Sequence, residues 1–573
     1  MEVVKTPEPV GYIVGNVETQ RFSFVTEPTI CPPRLEYLVV RDIPATEQGL
    51  DRVDVLAQVS KLQVASQILG EELTYQEARA ILEGLSPRPK IIGTADVLGY
   101  LTPDGGVRFP RHAPLPGQPV YLASDDFLRN FFSKDVEYGI TIGNLINREG
   151  VEVKLNPNGL RRHLAIIAQT GAGKSYLAGL LLENLLKMGA TILVFDPNSD
   201  YVMMRLTPDG KKTSFADRVK VYRVPLKAER RYSDEKIGGS EEYTIRFWTL
   251  EDEDIFEIAQ IHETWARIRE TLSKLLNTLR KRSPYFTPSY LKELVEEMMQ
   301  REDAGSELDE LEEMVSESEL EEITLNMQRK AKAGKETRGS FSYEELRRVK
   351  PYVDRLATLE IWGDKDLPIN DIISPKRLSV IDLAGLQQRA MEIVVDRTLR
   401  EIWEKAVLGQ LPRPLFIFLE EAHNFVPGRG KQSRCAEIIN RIAAEGRKFK
   451  VFLVVITQRP YKINQDTLSQ CGSQIIMKLT NPEDQEAVRT ASENISEALL
   501  ADLPGLNTGE AVVLGELTRV PVMIKVGKRE SAEGGADVDI VKELQSALQE
   551  SKTEVPIITT EPLKDDLMGG GVL

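Results

Sequence analysis

The sequence has few of the residues that build disulfide frameworks or metal centres. Its three cysteines, Cys31, Cys435 and Cys471, are too scattered for a zinc site or a set of disulfides, and its four histidines show no metal-ligand spacing. Apolar residues never continue for the roughly 18 positions that a membrane-spanning helix needs, and the first residues lack the apolar core of a signal peptide. These absences predict a cytoplasmic protein that does not cross a membrane.

An excess of basic residues, which would suggest a nucleic-acid partner, is also missing. The 573 residues carry a net charge of −15. Residues 302–322 contain eleven acidic side chains and no basic one, a pattern typical of a solvated helix face or a mobile connection. Charge distribution matters more than the sum, because a ring-shaped protein could enclose a basic channel within an acidic exterior. Composition therefore leaves DNA binding open.

What the sequence does contain is a phosphate-binding loop between a predicted strand and a predicted helix. Residues 163–167 are an apolar run typical of a buried strand, and the leucine-rich stretch 177–186 predicts a buried helix. Lys174 would contact the β- and γ-phosphates of a nucleotide, and the Ser175 hydroxyl a Mg²⁺ ion. Ala168 replaces the usual first glycine of this loop. The predicted nucleotide-binding residues are Thr170, Gly171, Ala172, Gly173, Lys174 and Ser175.

The order of predicted elements divides the chain into five parts. Short β-prone runs separated by turn residues predict an N-terminal β-barrel domain over 1–147. Alternating strands and helices predict an ATPase core in two parts, 148–250 and 369–530, interrupted by a helical insertion over 251–368. A helix and an extended tail complete the chain over 531–573. The predicted fold class is α/β, with a P-loop ATPase core, an N-terminal β-barrel domain and an all-helical insertion.

An acidic pair follows another predicted buried strand. Glu420 and Glu421 come directly after residues 415–419, and the carboxyl end of such a strand lies near the phosphate loop in an open α/β sheet. Hydrolysis of a nucleoside triphosphate needs a metal on the phosphate oxygens and a group that polarises the attacking water. We assign Glu420 to the metal, usually through water, and Glu421 to the attacking water. In a domain without a phosphate loop, a solvated acid pair would be the ordinary interpretation.

Three further side chains follow predicted elements of the core. Gln458 ends the run 451–457 and could hydrogen-bond the γ-phosphate, although an ordinary strand-end glutamine is an equal alternative. Asp196 ends another apolar run, 191–196, and could make a polar contact behind the nucleotide-binding residues. Arg447 lies late on a predicted helix and could point at the γ-phosphate of a neighbouring subunit, or pair with the helix dipole.

Four segments together resemble the archaeal HerA hexameric DNA translocases of the HerA/FtsK superfamily. They are 169–175, 420–425, 445–449 and 456–460. The Glu-Glu-Ala-His-Asn sequence of the second segment is more diagnostic than a generic acidic strand end. Residues 11–17 and 116–121 resemble the barrel domain of that family, so the resemblance covers nearly the whole chain.

The resemblance implies a RecA-like core that uses ATP and Mg²⁺, with Lys174 and Ser175 at the phosphates and the metal. It also implies that Arg447 acts as an arginine finger in trans, that Gln458 senses the nucleotide, and that Arg162 is an additional arginine near it. Family members are homohexameric rings that move along double-stranded DNA. They resect DNA ends for recombinational repair together with the NurA nuclease, which docks on the barrel face. The resemblance also implies the archaeal double-strand-break nuclease complex as a second nuclease partner. It implies further that the C-terminal segment braces a neighbouring subunit.

Basic residues in the Gly/Pro-rich loop after the acidic pair are predicted contacts to the DNA backbone, with a solvated loop as an equal alternative. They are Arg429, Lys431 and Arg434. Two other functions stay open at this point. One is a ring ATPase that pumps another polymer, of the conjugation or packaging type. The other is a nucleotide-regulated nuclease scaffold, against which the intact Lys174 and Glu421 argue.

Overall fold

The structure is a computed structural model, and the chain forms two compact units, Met1–Gly534 and Gly535–Leu573. The residues it describes are 8–46, 50–66, 69, 72–84, 89–133, 138–226, 230–312, 341–428, 433–492, 495–535 and 540–550, with side chains left out from 301 to 312 and at parts of the last helix. Among the helices in these ranges, none combines the length and apolarity that crossing a lipid bilayer requires.

The N-terminal strands close into a barrel. The order of its strands is β2-β1-β7-β3-β4-β5, and β5 pairs back to β2, while the short β6 extends β5. Alternate residues of β5 are buried, as expected of a strand with one face in a barrel interior. The barrel strands are β1 (Gly11–Val14), β2 (Arg21–Thr26), β3 (Tyr37–Pro44), β4 (Arg52–Ala65), β5 (Lys90–Leu101), β6 (Val107–Arg108) and β7 (Pro119–Leu122).

A twelve-stranded sheet forms the centre of the first unit. Its order is β13-β12-β14-β11-β15-β16-β10-β17-β18-β19-β8-β9, and the strands from β13 to β17 run parallel. The strands are β8 (Ile140–Leu145), β9 (Arg148–Leu155), β10 (Leu164–Ile167), β11 (Thr191–Asp196), β12 (Val219–Arg223), β13 (Glu241–Glu242), β14 (Leu378–Asp382), β15 (Leu415–Leu419), β16 (Val451–Thr457), β17 (Ser473–Met477), β18 (Glu510–Gly515) and β19 (Val522–Val526).

The central parallel strands are buried on both faces, which explains why they appear in the sequence as continuous apolar runs. In β10 every residue is buried. Ala165 and Ile167 belong to the core on one side of the sheet, whereas Leu164 and Ile166 belong to the core on the other side. Helices must therefore cover both faces, as in other open α/β sheets.

The antiparallel edge of the large sheet corrects one predicted boundary. The hairpin formed by β8 and β9 pairs with β19, so it belongs to the large sheet and not to the barrel. The predicted boundary at 147 passes through this hairpin, because short β-prone runs do not reveal which sheet they join. The change from barrel to sheet lies before Ile140.

Helices occupy both faces of the sheet and the described part of the insertion. Within 251–312 and 341–368 the structure shows helices and connecting turns but no strand. The predicted α/β fold class is confirmed, and the insertion is helical in these two ranges. The helices are α1 (Tyr75–Gly84), α2 (Asp125–Ser133), α3 (Lys174–Lys187), α4 (Asp234–Ile237), α5 (Asp252–Ala259), α6 (Ala266–Arg282), α7 (Pro288–Glu312), α8 (Tyr343–Ala357), α9 (Ile369–Ile372), α10 (Gln388–Val407), α11 (Ala436–Glu445), α12 (Gln465–Ser469), α13 (Pro482–Ala491), α14 (Glu497–Asp502) and α15 (Ile540–Glu550).

In the second unit the structure describes residue 535 and one helix, α15. The predicted tail after it lies outside the described residues. Bracing of a neighbouring subunit by this segment stays a prediction.

A buried histidine ties together the amino ends of the strands. His163 precedes β10, its Nδ1 accepts a hydrogen bond from the backbone N–H of Leu453 at 2.9 Å, and its Nε2 lies 3.0 Å from the Ala443 carbonyl oxygen. The first contact requires an unprotonated Nδ1, so Nε2 carries the proton and donates it. Burial lowers the pKa of His163 to about 4, so the ring is neutral at physiological pH.

We expect this histidine to make the fold sensitive to acid. In an unfolded chain the ring is protonated near its ordinary pKa of 6.5, whereas the folded chain resists protonation down to about 4. Stability from this group is therefore complete above pH 6.5 and is lost as pH falls towards 4, by up to about 3 kcal/mol. A glutamine can reach both partners without titrating, so His163→Gln should flatten the fall in melting temperature between neutral pH and about pH 5.

The exposed His112 supplies the matched control, because His112→Gln should follow the wild-type pH profile. If His163→Gln and the wild type lost stability in parallel on acidification, the assignment of the acid-sensitive group to His163 would be wrong.

Candidate active site

Four neighbouring strands bring the predicted site residues to one edge of the large sheet. In the order β11-β15-β16-β10, each strand ends at the same side because all four run parallel. Asp196 ends β11, the acidic pair follows β15, Gln458 follows β16 and the phosphate loop follows β10. The topology therefore collects segments that are separated by up to 288 positions in sequence, the spacing between Thr170 and Gln458.

The phosphate loop needs glycine at two places for conformational reasons. Gly171 and Gly173 have φ values of 77° and 100°, a left-handed region that other residues rarely occupy. Gly173 directly precedes α3, so the free N–H groups of the first turn of α3 face the loop. Ala168, where a glycine is usual, is buried and donates its N–H to the Thr457 carbonyl oxygen at 3.2 Å. The alanine therefore fits a position that packs against β16.

Lys174 is buried between the two carboxylates of the acidic pair. Its Nζ donates hydrogen bonds to Glu420 Oε1 and, at 2.9 Å, to Glu421 Oε1. The side chains are nearly inaccessible, with exposed fractions of 5% for Lys174 and 0% for Glu420. Burial alone lowers the pKa of Lys174, but the two carboxylates outweigh that effect and raise it. The lysine therefore stays charged.

Gln458 connects the phosphate loop to the acidic pair. The hydroxyl of Thr170 donates to Gln458 Oε1 at 2.5 Å, and Gln458 Nε2 donates to Glu421 Oε1 at 2.7 Å. Glu421 has a left-handed φ of 49°, a strained backbone for a non-glycine residue. Its second oxygen, Oε2, lies 3.3 Å from His423 Nδ1 and has no hydrogen-bond donor within the described part of the chain. That oxygen is buried and keeps unused acceptor capacity.

The loop after β11 supplies two side chains that the sequence analysis missed. Ser175 Oγ donates to Asp200 Oδ2 at 2.9 Å, and the Tyr201 hydroxyl donates to Glu420 Oε2 at 2.6 Å. Burial raises the pKa of Asp200, and the neighbouring Glu420 raises it further. The signal for this loop is the Asp-Pro-Asn-Ser-Asp-Tyr sequence that begins at Asp196, in which turn-forming residues separate two acids.

Asp196 itself acts on the backbone of that loop. It is fully buried, and its carboxylate accepts the N–H groups of Asn198, Asp200 and Tyr201 at 3.3, 3.0 and 2.8 Å. Burial raises its pKa, and the carboxylates of Asp200 and Asp382 add to the effect. Asp196 would thus affect a nucleotide indirectly, by fixing the conformation of the loop that carries Asp200 and Tyr201.

The oxygen-rich cluster fits a magnesium ion that is shared with phosphates. Among the described residues, no three Asp, Glu, His or Cys side chains form a metal site by themselves. Mg²⁺ usually binds through one or two carboxylates together with substrate phosphates and waters, so a protein-only cage is not expected. Asp200, Glu420 and Glu421 set three carboxylates against the single ammonium of Lys174, and a divalent cation would offset the excess. The residues that would hold it are Ser175 and Glu420, as predicted.

Two predicted arginines lie at the opposite edge of the sheet. Arg162 and Arg447 line one cavity of about 290 Å³ together with His163. Arg162 precedes β10 and Arg447 precedes β16, so both are at the amino ends of strands whose carboxyl ends carry the phosphate loop and Gln458. Arg162 therefore does not reach a nucleotide bound by its own chain. Its expected position near a nucleotide stays a prediction, which requires the nucleotide of an adjacent copy.

The basic residues predicted to contact DNA divide into two groups. Arg429 and Lys431 lie outside the described residues. Arg434 is engaged within the chain, because it forms ion pairs with Asp254, Glu257 and Asp396 at 2.7, 2.6 and 2.8 Å. These carboxylates neutralise its charge, so Arg434 joins the helical insertion to α10 and is poorly suited to the predicted DNA contact.

Comparisons with known proteins identify relatives along most of the chain. The family model "Helicase HerA, central domain" matches residues 140–402. A probable helicase of Methanocaldococcus jannaschii is 30% identical over 570 residues, which cover 98% of this chain and 96% of that protein. The DNA double-strand break repair helicase HerA of Pyrococcus furiosus is 29% identical over 80% of this chain and 83% of its own.

Among solved structures, the plasmid coupling protein TrwB in complex with ADP and Mg²⁺ is similar with a TM-score of 0.44 and 15% identity, over 72% of this chain and 94% of that chain. The helicase from M. jannaschii matches along almost its whole length, and the family model lies on the phosphate loop and the insertion. The chain therefore belongs to the HerA helicase family of P-loop ATPases.

Proposed function

We propose that the protein is an ATP-driven translocase and helicase of double-stranded DNA that works as a homohexamer. The observation that carries the proposal is the separation of the two parts of the ATPase machinery. Lys174, Glu421 and Gln458 lie at the carboxyl edge of the sheet, whereas Arg447 and Arg162 line a cavity at its amino edge.

This separation is too long for one chain to complete its own site. The four residues of β10 span about 13 Å, and the phosphate loop begins beyond them. The Arg447 side chain is exposed, so it is free to approach the nucleotide of an adjacent copy. An arginine supplied in trans stabilises charge on the transferred phosphoryl group and makes hydrolysis depend on the contact between subunits.

The side chains at the carboxyl edge can perform the remaining steps. Lys174 and the backbone N–H groups of its loop bind the phosphates, and Mg²⁺ held by Ser175 and Glu420 would neutralise their negative charge. Glu421 orients and deprotonates the attacking water, for which its Oε2 is suited because it lacks a donor of its own among the described residues. Gln458 contacts both the loop and Glu421, so it can report the presence of the γ-phosphate to the acidic pair.

The relatives suggest the biological task. Several of them are named DNA double-strand break repair helicase HerA, including those of P. furiosus and Sulfurisphaera tokodaii. We infer that this chain likewise acts on broken DNA, with the closed barrel as the surface on which a NurA nuclease docks for end resection. Within the ring, basic residues such as Arg429 and Lys431 would contact the DNA backbone without regard to sequence.

Replacing the predicted base should stop hydrolysis and spare binding. In Glu421→Gln the amide still accepts the hydrogen bond from Gln458 but cannot take a proton. We expect kcat to fall about 100-fold or more, with little change in the affinity for ATP. Glu404→Gln on the exposed face of α10 is the control and should behave as wild type. Normal turnover by Glu421→Gln would show that another group activates the water.

Mixing two inactive variants should restore activity if the site is shared. Lys174→Ala removes the phosphate contact and Arg447→Ala removes the finger, so a mixed ring contains some interfaces in which both residues are intact. We expect ATPase activity above the sum of the separate variants. Arg441→Ala, on α11 just before the finger but outside the cavity, should be active alone. Proven mixed oligomers without any recovery would contradict a finger in trans.

DNA should accelerate the ATPase of the wild-type protein. Linear duplex DNA is expected to raise the rate several-fold, and the effect should weaken steeply with added salt because binding to phosphates releases counterions. The measurement is steady-state ATP hydrolysis with and without duplex DNA at two salt concentrations. A rate that is indifferent to DNA would contradict the motor function and favour a different polymer as the substrate.

A further inference from the structure

Three consecutive residues of the loop after β11 each bond to a different element: the end of β14, the start of α3 and the acidic pair after β15. Ser199 Oγ donates to Asp382 Oδ1 at 2.8 Å, at the end of β14. Asp200 Oδ2 accepts a hydrogen bond from Ser175 Oγ at 2.9 Å, and the Tyr201 hydroxyl donates one to Glu420 Oε2 at 2.6 Å. The loop thereby touches both side chains, Ser175 and Glu420, that are predicted to hold the metal.

The direction of the bond between Ser175 and Asp200 matters. A serine hydroxyl has one proton to donate and two lone pairs to offer. When a carboxylate accepts the hydrogen bond of the hydroxyl, both lone pairs of the serine oxygen stay available to a cation. The oxygen is then a better metal ligand. In P-loop proteins an acid at the end of another strand is expected near this hydroxyl, but here Glu420 is occupied by Lys174 and Tyr201.

We propose that Asp200 is a positioning residue of the ATPase, which holds the Ser175 hydroxyl in the orientation that binds Mg²⁺. The inference rests on the proposed function and deepens it, because it adds an acid to the predicted pair. Asp200 acts through Ser175, while Tyr201 fixes the second oxygen of Glu420 from the adjacent position.

The backbone around Asp200 is held from two sides. Asp196 accepts the Asp200 N–H at 3.0 Å, and Gly534 donates its N–H to the Asp200 carbonyl oxygen at 3.0 Å. Ser199 has a left-handed φ of 59°. A Cβ atom on Gly534 would lie 2.0 Å from the Ser199 carbonyl oxygen, so only glycine fits there. A strained loop that is fixed this firmly is typical of a segment whose geometry serves a site.

The test compares nucleotide binding with and without magnesium. The probe is a fluorescent ATP analogue that is not hydrolysed, titrated into the full-length protein in excess Mg²⁺ and again in chelator. The ratio of the two Kd values measures how much the metal contributes. We expect Asp200→Asn to reduce that ratio about 10-fold or more and to leave the Kd in chelator unchanged. Asp200→Glu, which keeps the carboxylate, should recover part of the ratio.

The control for the loss of a carboxylate is Asp252→Asn, which also replaces by a neutral amide a carboxylate that accepts a serine hydroxyl, that of Ser273 in the insertion. It should keep the wild-type ratio. An Asp200→Asn protein with an unchanged ratio would overturn the proposal. So would an equal loss of affinity in magnesium and in chelator, because that result indicates a general structural role.

A second variant moves the loop without changing its side chains. Gly534→Ala forces the Ser199 carbonyl away, so the Kd ratio should fall in the same direction as in Asp200→Asn. Gly505→Ala is the matched control, since a Cβ there meets no atom within 4 Å. A Gly534→Ala protein that is folded and keeps the wild-type ratio would contradict a role for the loop.

These outcomes separate the inference from the proposed function. If wild-type protein binds nucleotide with the expected metal effect but never hydrolyses ATP in the presence of DNA, the motor function fails and the role of Asp200 at the metal stands. If hydrolysis and DNA stimulation are normal while Asp200→Asn is indistinguishable from wild type, only the role of Asp200 fails.

Discussion

The buried ammonium of Lys174 between Glu420 and Glu421 joins the phosphate loop to the neighbouring strands of the sheet. Removing one partner of such a buried group costs about 3–5 kcal/mol, because the remaining charge loses its compensation. A triphosphate can draw the lysine away only if it supplies equivalent negative charge, and a divalent cation must then satisfy the two released carboxylates. Binding of nucleotide and binding of magnesium are therefore coupled by charge. The same requirement makes Asp200 useful, since it prepares Ser175 for the cation.

In the proposed ring, the parallel sheet would connect this local exchange to the neighbouring subunit. Strands β10 and β16 connect the phosphate loop and Gln458 at one edge to Arg162 and Arg447 at the other. His163 fixes the amino edge by bonding to Ala443 and Leu453, which flank the segment that carries Arg447. A displacement at the nucleotide can thus be transmitted through rigid strands to the face that is proposed to meet the next copy. The ring and its work on DNA follow as proposals from this two-ended arrangement.

The sequence predicts the strands that bury nearly all of their side chains. It does not reveal contacts between segments that are distant in sequence. The runs 191–196, 415–419 and 451–457 coincide with β11, β15 and β16, because a doubly covered parallel strand is continuously apolar. Asp200 could not be assigned, because its partner Ser175 is set by the way two loops meet and not by spacing. Arg434 looked like a free cation, since the carboxylates that neutralise it come from two other helices.

The most direct test is a structure of the assembled protein with a non-hydrolysable ATP analogue and Mg²⁺. The account predicts that Lys174 has left Glu420 and Glu421 for the phosphates, that Ser175 still donates to Asp200, and that Arg447 of an adjacent copy faces the γ-phosphate. A nucleotide-bound ring in which Lys174 remains paired with both glutamates, or in which the γ-phosphate is contacted by a single protomer alone, would contradict it.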